Sequence, residues 1–423
     1  MPDPSLLAKA YAVALRSFLS MDELAFERGE QALFIANPRQ LGIPAATVNE
    51  AFVNEAIFDT ADAIQTGKSI EFSREGRSYF KTLRSYVARV KLDPAETSPE
   101  MRVAHEHYLD LADIVDREFE DAVEKYRLSK KVDKKTTTGL QEWLQSDFGR
   151  SYRDAVTAKQ KWSATLTKLQ SPQMSEVANA RDMLDSAGSI DSPKAGSNMI
   201  CSLKNRGDNA LQTPATDELI YRPSYILNDY NTISEGWVTN YSQTSSGRQE
   251  VPLDLVAAQT TTWKGLGFAS FDGSGAPPNA EIASTAEQDH GKPIIDLSKL
   301  DLKDILIKVD CANIQPFDVM RGLWDIQDFR NVLPVLSEGA PQYLEEQFYK
   351  TTKILLAYDV DMVVEVPAST HQGASSGTEV QIKHDVLGVI PATVGADGKL
   401  HTQMKSDKNN AYVSILAVLA ERV

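Results

Sequence analysis

The sequence predicts an α+β protein with an N-terminal helical domain that contains a long helical hairpin, and a C-terminal antiparallel β-sandwich-like domain. Apolar residues recur with the helical period in the first part and alternate like strand residues in the second, and a polar segment separates the two. We therefore place the helical domain at residues 1–187, a linker or long loop at 188–214 and the β-rich domain at 215–423.

Two long apolar stripes predict the helical hairpin. Ser98-Pro99-Glu100 is typical of a helix start, because it combines a capping side-chain oxygen, a proline in the first turn and an early acid. A buried seam is expected to run from there through Ala104, Tyr108, Leu111, Val115, Phe119, Ala122 and Tyr126. A second stripe follows over residues 140–169. The short basic segment at 130–135 between the stripes predicts that the two helices run antiparallel.

Alternating apolar and polar residues predict strands in the second part. The clearest alternation covers residues 358–366, and residues 380–383 repeat it after a polar loop, so we expect the two to form a hairpin. Residues 305–309 and 412–419 are further predicted strands. The last one is apolar on both faces, which is typical of a strand inside a core. One helical interlude is expected around residues 341–350.

Composition and charge restrict the partners and the location of the protein. The chain has 423 residues, a formal net charge of −15 and no long basic run. Because such a field repels phosphate backbones, we expect no nucleic-acid partner. The apolar stretch near the N-terminus contains Lys9 and has no basic residue ahead of it, so it is not typical of a signal peptide. We expect a cytoplasmic protein, with non-classical export as the alternative.

Cys201 and Cys311 are the only cysteines in the sequence. Two thiols do not make a disulfide framework, and neither residue belongs to a CxxC pair. Two buried free thiols are therefore expected in preference to a single disulfide.

Gly373-Ala374-Ser375-Ser376-Gly377 matches the GxSxG elbow of serine hydrolases, and Glu379 with His384 or His401 would complete a triad. The elbow requires a strand before the serine and a helix after it. Here the following segment alternates like a strand, so a polar hairpin tip is the favoured interpretation.

His105-Glu106-His107 and the acids Asp359, Asp361 and Glu365 are candidate metal ligands. Helical metal sites use histidines at i and i+4, because only those share a face, so exposed decoration of the helix is favoured for the histidine pair, with or without Asp110. Calcium requires six to eight oxygen ligands. The three acids are therefore interpreted as the solvated face of a strand.

Two further motifs suggest binding. Trp237 and Trp263 lie among Thr, Asn and Gly residues, so their rings would suit a sugar-binding platform, but core filling is favoured. Gly265-Leu266-Gly267-Phe268 matches the carboxylate-binding loop of peptide-binding domains without the surrounding pattern of that domain. The sequence thus identifies no catalytic, cofactor-binding or metal-binding residues and implies no cofactor.

Residues 293–298 and 307–311, followed by the region at 324–334, resemble uncharacterised fungal proteins. The resemblance covers about a third of the chain and contains no catalytic signature. It implies a helical region followed by a β-rich one, and it implies no activity.

These observations favour a non-enzymatic interaction or self-assembling protein that acts through its surfaces. The expected partner is a second copy of the chain or another protein. A membrane partner is also open, because pore-forming proteins rearrange helical hairpins and amphipathic β-hairpins. The alternatives are an enzyme whose site is assembled from residues distant in sequence, and a carbohydrate-binding protein.

Overall fold

The computed structural model describes residues 6–19, 23–38, 40–91, 98–132, 139–169, 175–188, 198–202, 219–240, 248–268, 294–296, 305–333, 335–366, 375–384, 388–403 and 411–423. The helices in these ranges are α1 (Leu6–Arg16), α2 (Glu23–Glu27), α3 (Glu50–Ala61), α4 (Tyr79–Ala88), α5 (Pro99–Val132), α6 (Leu140–Gln145), α7 (Arg150–Leu169), α8 (Ser175–Ser186), α9 (Tyr230–Thr239), α10 (Leu255–Thr260) and α11 (Phe329–Val332).

The strands are β1 (Gln31–Ile35), β2 (Gly42–Pro44), β3 (Asn198–Ser202), β4 (Leu219–Pro223), β5 (Tyr225–Leu227), β6 (Gln249–Pro252), β7 (Ile294–Asp296), β8 (Leu306–Cys311), β9 (Asn313–Arg321), β10 (Tyr349–Tyr358), β11 (Asp361–Glu365), β12 (Glu379–His384), β13 (Gly388–Val394), β14 (Leu400–Gln403) and β15 (Tyr412–Arg422). The predicted α+β class is confirmed. None of the helices in the described ranges is long and apolar enough to cross a membrane.

The first sheet is built around the last strand of the chain. Its order is β1-β15-β10-β9-β5, with β2 also paired to β15, and the pairs are antiparallel. Every residue from 413 to 420 is buried. The prediction of a strand that is buried on both faces is confirmed for residues 412–419.

This sheet joins the two parts that the sequence separates. β1 pairs with β15 from Gln31 opposite Glu421 to Ile35 opposite Ala417, and one cluster of buried apolar residues includes both Leu6 and Ala420. The predicted helical domain at 1–187 thus contributes two strands, β1 and β2, to the sheet that β15 completes. Of the predicted linker 188–214, residues 189–197 and 203–214 lie outside the described residues, and 198–202 form β3, which pairs with β4.

The second sheet has the order β6-β8-β11-β14-β13-β12-β7. It is mixed, because β7 and β12 run parallel while the other pairs are antiparallel. Its buried side chains, which include Ile307, Val364 and Ile382, belong to the same apolar cluster as the first sheet. The two sheets thus share one core.

The predicted β-hairpin between residues 358–366 and 380–383 is wrong. β10 ends at Tyr358, and Asp359 has a φ of 51°, so the chain turns before β11 begins at Asp361. β11 then pairs with β8 and β14, whereas β12 pairs with β13 and β7. The alternation correctly identified strand residues, but the left-handed residue moves the chain from the first sheet to the second.

The helical interlude expected at residues 341–350 is a single 3-10 turn. This turn covers Gln342–Leu344, and β10 begins already at Tyr349.

The long helical hairpin is confirmed and consists of α5 and α7. One end of α5 packs Tyr108 against Leu166, and the other end packs Tyr126 against Trp143 of α6, so the two long helices run antiparallel. Both ends of the seam are buried. Leu111, Val115 and Phe119 in the middle are only half-buried, so the predicted continuous seam is wrong there.

Val364→Asp should destabilise the protein by about 3 kcal/mol or more, because it places a charge among apolar neighbours. Val364 is 0% exposed and lies between Ile307 and Leu400. Val363→Asp is the matched control, since Val363 is half-buried on the opposite face and its cross-strand neighbours are Lys308 and His401. Urea unfolding of both variants measures the difference. Equal losses of stability would contradict the assigned faces of β11.

Candidate functional site

The residues described from the GxSxG motif form a turn rather than an elbow. Gly373 and Ala374 lie outside the described residues, and Ser375 accepts a backbone hydrogen bond from Thr378 immediately before β12. A strand rather than a helix follows the serine, which does not fit the elbow, and because β11 and β12 do not pair, the predicted hairpin tip is wrong as well. His401 contacts Asp397 at 3.1 Å, and the side chain of His384 is outside the described part.

The Gly265 to Phe268 segment packs into the core. Leu266 and Phe268 are buried, and Gly267 has a φ of 92°. A Cβ at Gly267 would lie 2.0 Å from the carbonyl oxygen of Gln31, so this glycine allows close approach to β1. The segment is therefore part of the packing beneath the first sheet.

The two histidines of α5 have different partners. The Nε2 of His105 lies 2.8 Å from the carbonyl oxygen of Ala88, and burial lowers the pKa of this histidine. The ring of His107 stacks on Trp162 with 4.5 Å between the ring centroids. The prediction that the side chains diverge is confirmed, but His105 is half-buried and contacts α4, so exposed decoration is wrong for it.

Each of the three candidate calcium ligands faces a cationic or ionisable side chain. The pairs are Asp359 with Arg248 at 2.6 Å, Asp361 with His401 at 3.7 Å and Glu365 with Lys399 at 2.6 Å. Asp359 is also buried, which corrects the predicted solvated face at this residue. No group of three potential metal ligands occurs among the residues that the structure describes.

Both candidate tryptophans are buried, and both cysteines are buried free thiols. Trp237 contacts Phe317 edge to face and Trp263 contacts Phe268 in the same way, so core filling is confirmed. Burial raises the pKa of both thiols, that of Cys311 to about 12.

A cleft of about 680 Å³ lies beside the middle of the hairpin, where the residues of the apolar stripes are only half-buried. We call this stretch the open seam. The hairpin contributes Val115 and Phe119 from α5 and Tyr152 and Val156 from α7, all of them half-buried. The opposite wall consists of side chains from α3, α4, α8 and β4. The cleft therefore uses the apolar residues that the hairpin leaves uncovered.

Ionisable side chains beside the cleft form a group that we call the Tyr108 cluster: Arg84, Tyr108, Asp116, Lys159, Arg181 and Asp185. Tyr108, Lys159 and Arg181 are buried, and the other three are half-buried. The Nζ of Lys159 donates to Asp185 at 2.7 Å, and the hydroxyl of Tyr108 donates to the other oxygen of this carboxylate at 2.8 Å. Arg84 pairs with Asp116. Burial lowers the pKa of Lys159 and raises that of Tyr108.

A row of ion pairs connects the hairpin to α4. The cations lie on α4 or just after it and the acids lie on α5, in the pairs Lys81–Glu120, Arg84–Asp116 and Arg89–Asp113. The residue numbers rise on one helix and fall on the other, so the two helices run antiparallel along this row. These ion pairs add to the apolar contacts that the hairpin makes with Ala88 at one end and with Cys201 and Ile220 at the other.

The opposite end of the cleft contains Arg222 of β4. Its guanidinium donates to Glu55 of α3 at 3.1 Å. Asp59 lies one turn further along α3, where burial, together with the charge of Glu55, raises its pKa to about 6.

The sequence did not identify the cleft or the Tyr108 cluster. Tyr108 appeared only as a seam residue, and Arg84 and Asp185 lie in segments outside the hairpin. The sequence contained one signal for the cluster. Asp116 directly follows Val115 of the first apolar stripe, and Lys159 lies within the second stripe, so both place a charge close to the expected seam. No protein-family model, no curated protein and no solved structure matches the chain.

Asp59→Asn should change how stability depends on pH. The folded pKa of Asp59, about 6, exceeds the ordinary value of 3.8, so between these values the folded state binds more protons than the unfolded state. Stability therefore falls as the pH rises through this window, and the variant should lack this loss. Urea unfolding of both proteins from about pH 4 to about pH 7 measures it.

Asp397→Asn is the control for the sign of this effect. The backbone amide of Lys399 lowers the pKa of Asp397, so its contribution is present at neutral pH and is lost as the pH falls. Parallel pH profiles for the two variants would contradict the environment assigned to Asp59.

Proposed function

We propose that the protein is a non-enzymatic binding protein that acts through its surfaces, and that the cleft between the hairpin and the body receives its ligand. The observation that carries this proposal is the open seam. Val115, Phe119 and Tyr152 lie at positions that a hairpin normally buries, yet they remain half-buried around a concave space.

The size of the cleft supports a binding role. Its volume of about 680 Å³ lies within the range of roughly 300 to 1,000 Å³ that is usual for ligand sites. The lining combines aromatic and aliphatic side chains with eight charged ones, so it is more polar than the usual ligand site and suits a ligand with both an apolar and a charged part. A ligand there would remove apolar surface from water, which favours binding.

The ionisable groups around the cleft support binding rather than catalysis. Lys159, Arg84 and Arg222 each form an ion pair with a carboxylate. The described residues that line the cleft include neither a histidine nor a cysteine.

Val156→Trp should abolish binding in the cleft, because the indole ring would occupy its volume. The measurement is the fluorescence of Nile red, a neutral dye that brightens in apolar sites. Val103→Trp is the matched control, since Val103 is an exposed residue of α5 that does not line the cleft. Thermal unfolding verifies that both variants fold. Undiminished dye binding by folded Val156→Trp would refute the cleft as the binding site.

Membrane action through release of the hairpin is a second proposal. The ion pairs between α4 and α5 favour it, because such pairs are partly exposed and weaken in salt or when their acids are protonated. Under this proposal, acidification to about pH 4 should release dye from anionic liposomes. Intact liposomes at that pH and at neutral pH would contradict it.

Self-association, a protein partner and cytoplasmic localisation stay predictions from the sequence. The resemblance to uncharacterised fungal proteins also stays a prediction, and it brings no activity to this chain.

A further inference from the structure

We propose that the cleft takes a monocarboxylic acid with a long apolar chain, with its carboxylate at the Arg84 and Lys159 end and its chain along the open seam. This inference rests on the proposed binding function of the cleft. It follows from the charge balance of the Tyr108 cluster and from the apolar wall beside it.

The Tyr108 cluster carries one surplus positive charge. Its cations are Arg84, Lys159 and Arg181, and its carboxylates are Asp116 and Asp185. Tyr108 is neutral, since burial and the charge of Asp185 raise its pKa well above the ordinary value. Three positive charges thus face two negative ones.

Arg181 is the cation that lacks a carboxylate partner within the cluster. It is 4% exposed, and its guanidinium lies 5.0 Å from the centre of the Tyr108 ring. Its Nε and Nη2 atoms have no hydrogen-bond partner among the described residues. A buried charge without a counterion destabilises a protein, so an anion close to the cluster would be bound favourably.

Four members of the cluster line the cleft, the cations Arg84 and Lys159 and the carboxylates Asp116 and Asp185, and an anion would approach the two cations. Arg84 and Lys159 line the cleft, each with a mostly buried side chain. A guanidinium suits a carboxylate because its parallel N–H groups match the two oxygens. The anion would thus contact Arg84 and Lys159, and the surplus charge of Arg181 would attract it through the cluster without direct contact.

The remaining cleft charges are balanced. Lys81 pairs with Glu120, Arg222 pairs with Glu55, and Lys168 and Asp182 add one charge of each sign to the lining. A single surplus charge favours a monoanion over a phosphate monoester, whose second negative charge would have no counterpart. The whole chain has a net charge of −15, so the surplus positive charge of the Tyr108 cluster is opposite in sign to the charge of the protein as a whole.

The apolar part of the ligand is indicated by the seam. Val115 and Phe119 on α5 and Tyr152 and Val156 on α7 line the cleft together, and the ring centroids of Phe119 and Tyr152 lie 5.5 Å apart. This strip lies within about one helical turn of the cluster, because Asp116 follows Val115 directly and Lys159 follows Val156 by three residues. An acid with a flexible alkyl chain fits both features together.

The test is calorimetric titration of the full chain at about pH 8 with decanoate, decanol and decyl phosphate, which share the alkyl chain and differ in charge. Decanoate should bind at least about tenfold more tightly than either of the other two, because only it supplies one negative charge. This comparison uses the unaltered protein and does not depend on how any variant folds.

Arg84→Gln should lower the affinity for decanoate about tenfold and leave that for decanol unchanged, which also shows that the cleft is intact. Lys125→Gln is the control. Lys125 is an exposed cation of α5 that pairs with Asp121 and does not line the cleft, so the decanoate affinity should change less than about twofold.

The outcomes separate the two proposals. Equal affinities for decanoate and decanol, or tighter binding of decyl phosphate, would overturn the assigned ligand class and leave the cleft as a binding site. If none of the three ligands binds and Nile red does not bind either, both proposals are refuted.

Discussion

The position of β15 is the constraint on which the rest of the structure depends. This strand pairs with β1 and β2 on one side and with β10 on the other, so the last segment of the chain completes a sheet that its first segments begin. Its residues 413–420 are buried, which places the strand inside the core. Long-range pairing of this kind fixes where α3 begins, because α3 is the next element after β2, which β15 holds, and α4 follows α3 along the chain.

A buried polar network then fixes α4 against the body. The hydroxyl of Tyr79 donates to Asp325 at 2.7 Å, and Asp62 accepts from Tyr225 at 2.5 Å and from the amide of Phe80 at 2.8 Å. Burial raises the pKa of Asp62, so these donors offset the cost of burying the carboxylate. Such networks permit few alternative arrangements, and α4 thereby presents its cations to the hairpin in one orientation.

The sequence predicted elements better than it predicted their partners. The apolar stripe correctly predicted the helix α5, and the apolar run correctly predicted the strand β15, because the periods of helices and strands are local properties of the sequence. The pairing of β1 with β15 and the departure of the chain at Asp359 depend on contacts between distant segments, which no local period encodes. The cleft was missed for the same reason. The stripe indicates which face of a helix is apolar, but α4 and α8 decide whether that face is covered.

The open seam and the Tyr108 cluster both depart from what stability alone would favour. Two helices of this length gain most by burying their apolar stripe throughout, and this hairpin does so only around Tyr108 and Tyr126. Between them it exposes aromatic surface next to buried cations, although replacing buried charge by apolar side chains is often stabilising. Local departures from good packing concentrate at functional sites. Since two such departures meet at one cleft, the binding of an amphipathic anion accounts for both with a single cause.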